Sequence, residues 1–84
     1  MTRKNAALGS AERLCRIINA QTGRDLHPEF DEPYEFDIAL YDGEDSSKAM
    51  EFIGDSWGEV YWTIQHCIEV LGFVGIRESP HELA

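Results

Sequence analysis

Three histidines (His27, His66, His81) and two cysteines (Cys15, Cys67) are the residues of this 84-residue chain best suited to nucleophilic or transition-metal chemistry. Their spacing assembles neither. No histidine stands four residues from another or three from a cysteine, as ligands sharing one helix face would. His66 and Cys67 are adjacent, and adjacent helical residues point about 100° apart, so a Cys–His nucleophile would need a second imidazole from elsewhere. No glycine-rich loop precedes a helix in the spacing that cradles phosphates. Asp42-Gly43-Glu44-Asp45 resembles part of a calcium loop, but Ile38 and Leu40 occupy the positions where its earlier ligands belong. The expectation is a protein that is not an enzyme, with no catalytic residue, no cofactor and no metal site. Cys15 and Cys67 read as buried, reduced thiols of a cytoplasmic protein, with a disulfide as the alternative.

The acids carry more information. The net charge is −9, and its distribution is uneven. Residues 1–24 hold five bases and one acid, whereas residues 25–59 hold twelve acids and the single base Lys48. Direct nucleic-acid binding needs a basic stripe that displaces counterions, and anionic membranes are disfavoured on the same ground. No apolar run is long enough to span a bilayer, and no apolar stretch follows the N-terminal Met-Thr-Arg-Lys-Asn as in a secretory signal. An acidic chain of this kind is suited to a basic partner surface, where long-range attraction speeds association.

The elements that must position these acids follow from periodicity. Ser10 is placed to cap a helix running to Thr22, with Gly23 as its left-handed terminator; a start near Thr2 or Asn5 is also open. Residues 24–33, with Pro28 and Pro33, read as a loop. Residues 34–41 alternate, so Phe36, Ile38 and Leu40 share the inner face and Glu35, Asp37, Ala39 and Tyr41 the solvent face. Asp42-Gly43 opens a turn. Residues 48–53 return as a strand with Met50 and Phe52 inward, or form a helical turn capped by Ser46. Ser56 and Glu59 make a capping box for a helix to Leu71 with Gly72 as its stop and Trp57, Val60, Ile64, Cys67, Ile68 and Leu71 on one stripe. Residues 73–76 are candidates for a short last strand. The whole, residues 1–84, reads as a single α+β domain: a small antiparallel sheet of two or three strands packed with two helices, in the order α-β-β-α(-β), with residues 1–9 and 79–84 frayed.

On that frame Glu35 and Asp37 stand about 6.8 Å apart along a strand, close to the spacing of neighbouring phosphates. Glu29, Asp31, Glu32, Asp42, Glu44 and Asp45 flank them from the loops. Such a row suits a basic groove built for phosphates. Trp62, on the polar side of the second helix, and Tyr41, on the outer strand face, are candidate interface anchors.

In size and acidity the whole chain resembles the anti-CRISPR proteins of phages and mobile elements, short single-domain inhibitors that often place carboxylates where nucleic-acid phosphates would sit. The resemblance implies stoichiometric binding to a CRISPR effector subunit in the bacterial cytoplasm, as monomer or homodimer. Immunity proteins of nuclease toxins share the profile, and an oligomerising structural or assembly subunit is the reading from another class.

Overall fold

Thr2 has the extended backbone of a helix cap, φ −82° and ψ 159°, and its Oγ1 accepts the Asn5 N–H at 3.1 Å. Helix α1 therefore runs from Arg3 to Thr22, until Gly23 adopts φ 74° and donates its N–H to the Asn19 carbonyl at 3.0 Å. The start near Thr2, which the sequence leaves open beside Ser10, is the one the structure has. Ser10 is not the cap: it lies mid-helix, buried, donating its hydroxyl to Gln65 Oε1 at 2.9 Å. Thr2→Ala should cost about 1 kcal/mol of stability, read from the midpoint of urea unfolding, by orphaning one first-turn N–H.

The structure, a computed structural model, describes residues 2–31, 33–43 and 47–73. Beyond α1 come β1 (Leu26–Phe30), β2 (Asp37–Asp42), β3 (Ser47–Ile53) and α2 (Trp57–Phe73). The three strands form one antiparallel sheet in the order β1-β2-β3. This is an α+β fold of order α-β-β-β-α. The third strand is β1, which lies within the stretch read as a loop. Pro28 weighed against a strand there, but β1 is an edge, where a missing N–H breaks no ladder bond. The bonds from Asp31 N–H to the Asp37 carbonyl and from Gly43 N–H to the Asp25 carbonyl set the ladder phase. Counting in twos from those pairs, Leu26, Pro28 and Phe30 turn their backbone groups away from β2. The Asn19 amide takes up both groups at Leu26, accepting its N–H at 2.8 Å and donating to its carbonyl at 3.0 Å.

Pairing of β2 with β3 runs Ile38 to Phe52, Ala39 to Glu51 and Leu40 to Met50, then skips Ala49 so that Tyr41 faces Lys48. That bulge changes the phase of alternation and turns Lys48 to the side of Tyr41 and Glu51. In α2, Ser56 Oγ accepts the Glu59 N–H at 3.1 Å, which is the serine half of the capping box; no bond returns from the Glu59 carboxylate to the Ser56 N–H. The helix continues through Gly72 to Phe73, so Gly72 is not its stop and Phe73 does not begin a strand. Residues 74–76 and 79–84 lie outside the described residues.

Both helices cover one face of the sheet. Ala7, Ala11, Leu14 and Cys15 of α1, and Val60 and Ile64 of α2, pack with Leu26, Ile38, Leu40 and Phe52. Trp57 closes one end, edge-on to Phe30 at 5.4 Å and to Phe36 at 5.7 Å between ring centroids. Met50, expected inward with Phe52, stays 38% exposed at the open edge.

Candidate functional site

Strand alternation leaves His27 and Glu29 of β1, Asp37, Ala39 and Tyr41 of β2, and Lys48, Glu51 and Ile53 of β3 on the face away from the helices. Asp31, one residue past β1, extends the same row. Oxygens of Asp31, Asp37 and Glu51 all lie within 4.8 Å of one another. Lys48 Nζ donates to Asp31 Oδ2 at 2.6 Å and to Glu51 Oε2 at 3.3 Å. Tyr41 Oη donates to Asp31 Oδ1 at 3.2 Å. Three strands thus converge on one patch of carboxylates.

Asp37 sits at its centre. It faces the side the alternation assigned, but it is 1% exposed, and neither carboxylate oxygen has a hydrogen-bond partner. The expectation of a solvent-facing Asp37 is therefore corrected. Alternation fixes the direction of a side chain, and here neighbours across two strands cover it. Burial, then the adjoining Glu51 carboxyl and the charges of Glu51 and Asp31, push the Asp37 pKa up to about 7, against the opposing pull of Lys48. Asp31 moves the other way, held below the usual carboxylate range chiefly by its bond from Lys48. The Lys48 ammonium is correspondingly strengthened, first by Asp31 and then by Glu51.

The other candidates divide. Glu35 is exposed just before β2, and Glu29 is exposed with its Oε2 2.8 Å from His27 Nε2. Asp42, at the end of β2, is gripped by Arg24 through Nε at 3.1 Å and Nη2 at 2.8 Å, which lowers its pKa. Tyr41 is half-buried and engaged with Asp31, so it is no free anchor. Glu32, Glu44 and Asp45 lie outside the described residues. Trp62 is 67% exposed on α2, edge-on to Tyr61, and lines a shallow groove with Arg3, Ala6, Ser56 and Gly58. It belongs to the helical layer, so the fold separates it from the acids instead of joining them into one surface.

Glu51 was absent from the sequence-based set. Its signal was present in the alternation of residues 48–53, which sets it opposite Met50 and Phe52. Only the pairing with Ala39, too small to cover its neighbours, brings it to Asp37. The thiols are poor nucleophiles: burial pushes Cys15 up to about 11 and raises half-buried Cys67, and neither is in a disulfide. No described helix is long and apolar enough to cross a membrane. Comparison with family models, with curated proteins and with solved structures finds no match to this chain.

Proposed function

We propose that this chain is a small acidic inhibitor that binds the basic nucleic-acid-binding surface of a target protein, stoichiometrically and in the bacterial cytoplasm. The target class the resemblance favours is a CRISPR effector subunit. The observation that carries this reading is the separation of charge by layer. Arg3, Lys4, Arg13 and Arg16 belong to α1, while Glu29, Asp31, Asp37 and Glu51 share the opposite face of the sheet. Glu12, Glu59 and Glu69 lie on the helices, but four carboxylates gathered on one face of the sheet make a local field that orients the protein toward a basic groove before contact. Exposed Glu29 and Glu35 are the carboxylates placed to meet arginines directly. Asp31 and Glu51 exchange Lys48 for partner cations, and buried Asp37 makes no contact with the partner.

Charge reversal by Glu29→Lys with Glu35→Lys should weaken partner binding at least tenfold while leaving the circular dichroism spectrum unchanged, since both side chains are exposed. Binding of the unaltered protein should also weaken steadily from about 50 to 500 mM salt. Affinity indifferent to both changes would end the electrostatic reading. Capture from a lysate carrying CRISPR effectors and nuclease toxins, with identification of the retained protein, separates this reading from that of an immunity protein. A second reading, assembly through the helical layer, is favoured by exposed Trp62 and its groove. It requires a dimer in solution that Trp62→Ala dissolves.

A further inference from the structure

We propose that Asp31, Asp37 and Glu51 form a binding site for a hard divalent cation of the calcium class on the outer face of the sheet. The inference goes beyond the partner-binding reading and does not depend on it. Three carboxylates alone would be an ordinary acidic patch. The distinguishing feature is Asp37, 1% exposed, aimed into the cluster with both oxygens unpartnered. A buried carboxylate without a donor is costly, and in native structures such a group is matched by a proton, a water or an ion.

The donor set selects the ion. All three ligands are carboxylate oxygens with no nitrogen or sulfur among them, which favours calcium, magnesium or manganese over zinc or copper. Oxygens within 4.8 Å of one another can span a calcium ion, whose oxygen ligands lie at about 2.3–2.6 Å. The charge also balances. Once the incoming ion displaces the Asp37 proton, the three carboxylates carry three negative charges and Lys48 returns one positive, leaving two for a divalent ion to neutralise. Asp31 is already oriented, Oδ1 by Tyr41 and Oδ2 by Lys48, and each oxygen keeps a lone pair. The Glu51 side chain reaches solvent, so water can fill the remaining coordination positions. Three protein ligands imply weak binding, with a dissociation constant of about 0.1–1 mM.

The experiment uses the free protein near neutral pH, without a partner, so its failure leaves the inhibitor reading untouched. About 10 mM calcium chloride, against sodium chloride of equal ionic strength, should raise the thermal midpoint by about 5 °C or more. Terbium luminescence sensitised by Tyr41 should appear and be displaced by calcium. Asp37→Asn should abolish the calcium increment and the terbium signal, and Glu51→Gln provides a second variant should the first misfold. Glu59→Gln, on the exposed first turn of α2, should leave both readouts intact. No midpoint shift with calcium, magnesium or manganese would overturn the site, because a proton then suffices for Asp37. An equal shift in Asp37→Asn and the unaltered protein would overturn it too, since diffuse attraction to acids at large would explain that result.

Discussion

Ile64→Ala should leave the chain largely unfolded under conditions where the unaltered protein is fully native. Ile64 is completely buried at the meeting of α2 with α1 and the sheet, within the cluster that includes Leu14, Ile38 and Leu40. Truncation removes its transfer free energy and leaves a cavity that two helices fixed by caps cannot collapse, at a cost of about 2–5 kcal/mol. A domain of this length holds little more than that in reserve. Loss of the cooperative urea transition is the expected observation. A midpoint unchanged from the unaltered protein would mean that the helices do not pack as described.

The second large effect is a fall in stability as pH rises, opposite to the usual behaviour of paired carboxylates. Asp37 titrates near 3.8 when unfolded and near 7 when folded, raised by burial and by the Glu51 and Asp31 carboxylates, with Lys48 opposing. Between those values the folded state keeps a proton that the unfolded chain has released. Stability therefore declines across that window and levels off above about pH 7. Asp31 and Asp42 are lowered instead, so their stabilisation is present above about pH 4 and disappears on further acidification. In chelator-treated buffer the thermal midpoint should peak between about pH 4 and 5 and fall toward pH 8. Asp37→Asn, which cannot ionise, should flatten that descent and exceed the unaltered protein at pH 8. A midpoint that climbs from pH 5 to 8 would contradict the buried placement of Asp37.

Much of the scaffold is legible in the sequence. Gly23 and Ser56 are local signals, fixed by backbone chemistry within a few residues, and the structure has both as caps, though the Glu59 carboxylate makes no return bond to Ser56. The α2 stripe and the inward set of Ile38 and Leu40 are periodic signals and hold as well. What escaped was non-local. Leu26 and Phe30 alternate correctly around His27 and Glu29, but Pro28 outweighed them because edge position is a property of the finished sheet. The burial of Asp37 depends on Asp31 and Glu51, residues on two other segments whose register no single segment encodes. Lys48, the lone base among twelve acids, was conspicuous in the sequence. Strict alternation from Phe52 and Met50 would have turned it toward the helices, and the unpaired Ala49 reverses that.

The clasp of Asn19 on Leu26, together with Pro28, has a consequence for how copies of this protein can join. Both outward backbone groups of Leu26 are occupied, and Pro28 has no N–H to offer, so a foreign strand finds no continuous ladder along β1. The opposite margin, β3, has no neighbouring strand among the described residues. Among the described residues the two rims thus differ, β1 sealed and β3 without a neighbouring strand. Two molecules joined rim to rim through β3 would present only sealed margins, and the series would terminate there. The same amide that anchors β1 to α1 would thus act as a chain stopper, limiting strand-mediated association to a pair instead of a fibre.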